Sequence, residues 1–453
     1  MAGSRAGHRC RNLALADVDF VADVRLTDGP VFWTACALGA AAAVYLLWRP
    51  ATAGPRPWWL SVLVSVAGGF ALVGFVHWAL IDVFSTFPED LPDDVLLWSV
   101  PAVAALILTL IRLPRSTKRA RSAGFVAFLL VLLLSGVQIN AYFGLNRTVS
   151  DLMGTALARI PALETGLTRQ PGGSSPVSLE GWAPQGELPG EGALRKATIP
   201  GTDSGLATRE AYIYLPPAYF ATNRPALPVL VLFSGQPGGP ADWLTGGALR
   251  THLDAFASGH GGIAPVVVVA DPNGSQSANT LCLDSRIARA DTYLSVDLPA
   301  WIKATLDVDP DHRQWAVGGF SFGATCALQM GTRHPDLYTS VLAFSSELEP
   351  ALAKERQKTI DAAYAGDTAA FEHETPLTRM GQQRFDANAA YFAAGERDPE
   401  FVHYMDTLAE AARKAGFSVE ATQVQHAGHS WDTPSRGMAD GLAFLAARWG
   451  MRP

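Results

Sequence analysis

Charge is scarce in this sequence. Asp, Glu, Lys and Arg make up 17% of it, against about 25% in an average soluble domain, and that deficit argues against a purely soluble chain. Cysteine is scarcer still, at four residues. Neither these nor the ten histidines fall into a Cys-x-x-Cys or His-Glu-x-x-His spacing, so no structural or catalytic zinc site is signalled. Excess base is missing as well. The net charge is -7, which removes the electrostatic reason to expect a nucleic-acid partner. Internal repeats are not evident.

What the sequence has in quantity is apolar residues, 49% of the total, and they are spread unevenly. The 453 residues are too many for one ordinary core, so two or three units are expected. The first 145 residues hold nearly all the long apolar runs, and the remainder reads as a normal globular domain. Four runs stand out, at 31–48, 59–81, 95–111 and 124–143, and none contains Asp, Glu, Lys or Arg. Each is long enough to cross a hydrocarbon core of about 30 Å at a helical rise of about 1.5 Å per residue. Core helices of soluble proteins are seldom so long and so pure. A cleaved signal peptide is not indicated, because a mixed segment precedes the first run and no convincing cleavage site follows it. Residues 1–150 therefore read as a membrane domain with four transmembrane helices.

Loop charge orients the helices. The first loop carries Arg49 and Arg56, and the third carries Arg112, Arg115, Lys118, Arg119 and Arg121 without an acid, so both are expected on the cytoplasmic side. The second, DVFSTFPEDLPDDV, holds five acids and no base and is expected outside. The chain then leaves the fourth helix outside the cytoplasm, with only Arg147 nearby. The N-terminus is placed outside too. There Arg5, Arg9, Arg11 and Arg25 oppose the rule, Asp17, Asp19, Asp23 and Asp28 balance them, and the third loop decides. His77, Asp82, Gln138 and Asn140 fall near the expected outer ends. They read either as interfacial polarity and interhelical hydrogen bonds or as a headgroup-facing site beneath the outer domain.

Residues 151–194 read as a linker. The stretch 166–205 is rich in Gly, Pro and Ser, as in RQPGGSSP and PQGELPGEG, and little core is expected there. From 195 to 453 the pattern changes. Strand-like segments at 210–219, 227–235, 264–274, 313–320, 339–346, 389–398 and 417–424 alternate with helical stretches at 295–306, 322–334, 400–415 and 435–448. Buried apolar strands alternating with helices predict an α/β domain with a mostly parallel sheet, of the α/β-hydrolase type. The chemistry of such sheets lies at the C-terminal ends of the strands.

Ser321 is the centre of Gly319-Phe320-Ser321-Phe322-Gly323, after a strand pattern and before a helical one. This is the context of a nucleophile elbow. A serine hydroxyl is a weak nucleophile and needs a base within hydrogen-bond reach. VQHAGHSWDTP supplies two histidines after the last strand, and His429 is favoured over His426 by its later place in the loop. The acid that orients the imidazole is expected in GERDPEF. It offers Glu396, Asp398 and Glu400; Asp398 is chosen, with Glu396 next. The developing oxyanion needs backbone N–H donors. Phe322 is one, and Gln236, in LFSGQPGGPADW, is the other. Cys282 and Cys326 are the only cysteines after the membrane runs, and Cys326 lies a turn and a half beyond Ser321. Outside the cytoplasm a disulfide between them is expected, with two buried thiols as the alternative. Cys10 and Cys36 read as structural or incidental.

Together, LFSGQPGGPADW, NTLCLDS, GGFSFGATCAL and HAGHSW resemble the putative-esterase family, which includes esterase D and the secreted mycolyltransferases. The resemblance covers about residues 195–450 and leaves the four-helix half outside it. It implies a Ser-acid-His α/β-hydrolase acting on esters, without metal or cofactor, and carries over Ser321, His429, Gln236, Phe322 and an acid within GERD. Where the family usually has His or Asp before the oxyanion-loop glycine, this sequence has Ser234. The family contains both hydrolases and acyltransferases. The expected protein is thus a multi-pass, membrane-anchored serine esterase or acyltransferase. Its catalytic domain lies outside the cytoplasm, and its substrate is an ester of a lipid or glycan of the cell envelope. A non-catalytic envelope scaffold or binding protein on the same fold is the alternative. A transporter or channel is disfavoured by the lack of charge within the spans.

Overall fold

Four helices account for the four apolar runs: α1 (Gly29–Leu47), α2 (Trp58–Trp78), α3 (Asp93–Arg112) and α4 (Lys118–Phe143). All are long and apolar enough to cross a membrane, α2 being continued by a π-helical turn, Ala79–Val83. The computed structural model describes residues 23–49, 57–169 and 176–451. Cys10, the charges before Asp23, and Arg56 lie outside the described residues. The chain divides into two units, Met1–Ala158 and Arg159–Pro453.

In the first unit α1 packs against α4, α2 against α3, and α3 against α4. Close approach depends on small residues. A Cβ placed on Gly39 of α1 would lie 2.5 Å from Leu134 Cβ of α4. This is how helices associate where the surrounding lipid is as apolar as leucine. The bulky side chains Leu63, Phe70, Phe75, Leu110, Phe125 and Leu133 face outward instead. Charge marks the helix ends, with Asp93 and Asp94 in the first turn of α3 and Arg112 in its last, as the helix dipole favours. Arg112 is 6% exposed. Its guanidinium donates to the carbonyls of Tyr45 (3.2 Å), Leu46 (2.7 Å) and Trp48 (2.8 Å) and lies over the rings of Tyr45 and Trp58. Trp58 Nε1 donates to Leu47 O at 2.8 Å. The carbonyls that the end of α1 cannot satisfy within the helix are thereby capped. Two of the polar side chains near the other helix ends lie against loop residues. His77 Nε2 stands 3.3 Å from Asp90. Asn140 Nδ2 donates to Asn146 O at 2.8 Å, and its Oδ1 accepts from Asn146 N at 3.2 Å.

The second unit is built on an eight-stranded sheet of order β1-β2-β4-β3-β5-β6-β7-β8. The strands are β1 (Ala193–Ala197), β2 (Ala211–Leu215), β3 (Val229–Phe233), β4 (Val266–Val269), β5 (Trp315–Phe320), β6 (Ser340–Phe344), β7 (Ala389–Gly395) and β8 (Ser418–Val424). β1 and β2 pair antiparallel with their neighbours, and the rest of the sheet is parallel. The central strands are continuous apolar runs because both faces are covered. Val229, Val231 and Phe233 share a core with α7 (Phe322–Arg333) and α8 (Pro399–Ala415). The alternate residues face α9 (Asp432–Trp449), whose Gly437 and Gly441 sit over Leu342 and Phe344 of β6. Further helices are α5 (Leu249–Gly259), α6 (Leu298–Thr305) and three short ones not foreseen from the sequence, Arg356–Tyr364, Thr368–Glu374 and Pro376–Gln382, the last packing on α7 and α8. The fold is that of an α/β-hydrolase.

β1 is not foreseen by the sequence reading. ALRKA has neither an apolar run nor clean alternation, and all five residues are half-buried. Arg195 pairs with Glu164 and Lys196 with Glu210, charges that keep an edge strand from pairing with another chain. The Gly- and Pro-rich stretch around it also yields more core than its composition suggests. Ile199 is fully buried, and Leu179 and Trp182 pack against the core.

Candidate active site

β5 delivers the chain to Ser321, and α7 carries it away. At Ser321 the backbone takes φ 56° and ψ -125°, a region L side chains rarely occupy and one that persists only where the surroundings impose it. The flanking glycines make the turn sterically possible. A Cβ on Gly323 would lie 2.6 Å from the Phe233 carbonyl carbon of β3, and a Cβ on Gly319 would collide with Gly323 itself. Ser321 N donates to Phe344 O at 2.9 Å, which ties the turn to β6. The side chain is left at the C-terminal edge of the sheet.

His429 reaches it from the loop between β8 and α9. Its Nε2 lies 2.9 Å from Ser321 Oγ and its Nδ1 3.0 Å from Asp398 Oδ2. Asp398 caps α8, with Oδ1 accepting from Phe401 N at 3.4 Å. One carboxylate thus starts a helix and orients the imidazole. The ring packs against Phe401 at 4.1 Å and Phe320 at 5.2 Å between centroids. Trp431 packs on Phe320 at 5.1 Å and on Trp243 at 5.3 Å. These aromatic supports carry no sequence signal of their own; only the fold brings them together. The two other candidates meet elsewhere. His426 N donates to Glu396 Oε2 at 2.8 Å, with both side chains largely exposed. Glu400 accepts from Tyr404.

The loop after β3 runs alongside Ser321. A Cβ on Gly235 would lie 3.6 Å from Ser321 Cβ, so the loop passes the serine at the residue before Gln236, and Phe322 follows the serine at the start of α7. The loop is braced from within. Ser234, at the position where His or Asp is usual, donates from Oγ to Gly239 O at 2.6 Å. Gly239 N donates to Asp242 Oδ2 at 2.8 Å, and Trp243 Nε1 to Phe233 O at 3.0 Å. Burial pushes the Asp242 carboxyl up to about 6, against the opposing pull of the Gly239 N–H and of Arg209. It is braced from outside as well. Arg209 donates to Gly238 O at 3.0 Å and holds Asp271 through Nε and Nη2 at 2.9 and 2.8 Å. Burial works against the Asp271 charge, but Arg209 and the backbone N–H groups outweigh it and keep that carboxyl below its ordinary value. A polar cavity of about 580 Å³ opens beside the loop, lined by Arg209, Glu210, Tyr212, Asp242 and Gln276 among others. Cys282 and Cys326 are joined by a disulfide, Cα to Cα 5.5 Å. Among the described residues, no group of three or more His, Cys, Asp or Glu is arranged to hold a metal ion.

A nucleophile elbow, an imidazole between serine and carboxylate, and a tight loop beside the serine define the site of a serine hydrolase of the α/β class. The family described as putative esterase matches residues 207–442, and the chain belongs to it. An uncharacterized protein of Corynebacterium glutamicum is 37% identical over 271 residues, which are 58% of this chain and 63% of that protein, so the chain spans less than two thirds of its relative's length. Similar solved structures include a ferulic acid esterase (19% identity, TM-score 0.49, 57% of this chain and 99% of that one). Others are an S-formylglutathione hydrolase from Agrobacterium tumefaciens (19%, 0.48, 59% and 98%) and MPT51 of Mycobacterium tuberculosis (15%, 0.45, 57% and 99%).

Proposed function

We propose that this protein is a membrane-anchored serine esterase or acyltransferase that works on an ester of the cell envelope from outside the cytoplasm. The observation that carries the reading is His429, within 3.0 Å of both Ser321 Oγ and Asp398 Oδ2. Ser321 Oγ attacks the ester carbonyl carbon while its proton passes to His429 Nε2. Asp398 accepts a hydrogen bond from Nδ1–H, which stays on the ring, and its charge stabilises the imidazolium. The N–H groups of Gln236 and Phe322 receive the oxyanion. His429 returns the proton to the departing alkoxide, and an acyl-enzyme on Ser321 remains. Water, or a hydroxyl of a lipid or sugar, then attacks that ester with His429 as base, and Ser321 is regenerated. The membrane anchor and the acid-rich second loop support the placement of the domain outside.

The test compares the envelope lipids of cells carrying the native protein and Ser321→Ala. An acylated species that accumulates in the variant identifies a hydrolase and its substrate. A species that disappears identifies a transferase and its product. Unchanged lipids and glycans would overturn the envelope substrate. Placement is tested by C-terminal fusions, an active alkaline phosphatase and a dark green fluorescent protein being expected; the reverse pattern would put the domain in the cytoplasm.

A further inference from the structure

The two groups assigned to the oxyanion come from separate parts of the chain. Phe322 N opens α7, whereas Gln236 N belongs to the loop after β3. A second loop, 271–283, touches both parts. Its middle holds the oxyanion loop: Gly238 N donates to Gln276 O at 3.0 Å, and Gln236 Nε2 to Ser277 O at 3.0 Å. Its near end is pinned through Asp271 to Arg209, whose guanidinium also holds Gly238 O. Its far end is pinned to α7, five residues beyond Ser321, by the Cys282–Cys326 disulfide and by Gln329 Nε2 donating to Leu281 O at 3.1 Å.

The far end is also the strained one. Leu281 and Cys282 take φ 61° and 53° in succession, a left-handed conformation that side chains with a Cβ adopt reluctantly. Without the cross-link this end has a reason to relax, and Gln276 and Ser277 would move with it.

We propose that Cys282 and Cys326 are positioning residues. Their disulfide joins the helix bearing Phe322 N to the loop that places Gln236 N, and so sets the width of the oxyanion hole. The proposal rests on the serine-hydrolase reading above. It differs from ordinary cross-link stabilisation, which acts on the unfolded chain and leaves the folded site unchanged.

The experiment uses the full chain in detergent with a short chromogenic p-nitrophenyl ester. The Cys282→Ala/Cys326→Ala double variant is expected to lose about tenfold in kcat, less than the hundredfold or more that follows outright removal of a donor. KM should stay within about twofold, and the pH profile of kcat/KM should keep its shape because His429 and Asp398 are untouched. A kcat within about twofold of the parent, measured well below the melting temperature, would reduce the disulfide to a stabiliser and overturn the proposal. A shifted pH profile would overturn it too, by moving the loss to the base. Should the double variant not fold, Cys282→Ala/Cys326→Val refills the packing. Timed reduction of the native protein, with thiols counted by alkylation and mass, gives a second reading. There kcat should fall in step with the reduced fraction, and a kcat indifferent to that fraction would overturn the proposal. Ser321→Ala is assayed alongside. If it keeps the native rate, the serine-hydrolase reading fails instead, by a result that does not involve the cysteines.

Discussion

In the four-helix unit Leu63, Phe70 and Phe125 face outward and Gly39 faces a neighbouring helix, whereas in the hydrolase unit Leu230, Phe344 and Tyr391 are sealed inside. Among the described residues of Arg159–Pro453, the exposed large apolar side chains are Val177, Ile287 and Val296. The same residue types do opposite work. In water, burying apolar area drives the fold. In lipid that drive is absent, and helices are held by close packing and by hydrogen bonds the solvent cannot supply. Large apolar side chains of the kind buried in one unit lie on the outside of the other, so what a truncation costs must be argued unit by unit.

The sharpest test of this contrast is chemical. Ser321→Ala should lower ester hydrolysis by roughly 10⁴-fold or more while the melting of both units stays as it was. A comparable rate would detach catalysis from the hydrolase unit. Next in size is a pair of identical truncations. Phe344→Ala, inside the sheet domain, should cost about 3–5 kcal/mol. Phe70→Ala, on the outward face of α2, should cost less than about 1 kcal/mol, both read by denaturant melts in the same detergent. Equal costs would break the comparison, because the outward face would then have to be buried.

Arg112→Ala tests the other half of the contrast, the hydrogen bonds. Removing the donor to three carbonyls at the end of α1 should cost the bundle about 1–3 kcal/mol without touching hydrolysis. Arg112→Lys should restore only part of it, since an ammonium lacks the flat fork. The smallest effect is one of pH. The folded-state value of Asp242, about 6, lies above its ordinary 3.8. The folded state therefore binds this proton more tightly than the unfolded chain does. Its contribution to stability is full below the ordinary value and is lost as pH rises through about 6. Melts of the hydrolase unit between pH 4 and pH 6 should show the parent losing stability with rising pH relative to Asp242→Asn, since carboxylates held below their ordinary value, such as Asp271, pull both proteins the other way. An unchanged slope in the variant would assign the effect to another group.

Much of the architecture was open to reading because its signals are local. Four charge-free runs predict four helices, and VLVLF or AAYFAAG predicts a strand covered on both faces. The Gly-x-Ser-x-Gly turn announces itself because strand, serine and helix are contiguous. β1 escaped because ALRKA owes its place to the strand beside it. Arg112 escaped for the opposite reason, since a base next to a helix end is indistinguishable in sequence from a base in a loop. Among the carboxylates of GERDPEF, the sequence favours Asp398 only because it lies farthest into the turn before the helix begins. The structure turns Asp398 toward His429 and leaves Glu396 to His426 at the surface.

Local sequence suffices for an apolar first third, a strand-and-helix pattern after it, and the place of the serine turn. These follow from period, length and the steric needs of glycine, all properties of neighbouring residues. Tertiary structure alone decided what surrounds that serine. It packed His429 against Phe320 and Phe401 and aimed one carboxylate of three. It also tied residues 234–239 to a loop more than thirty positions away in the chain. Such contacts depend on how loops of no regular period lie across the end of a sheet. No local pattern encodes that, because each loop is held by partners far from it in sequence.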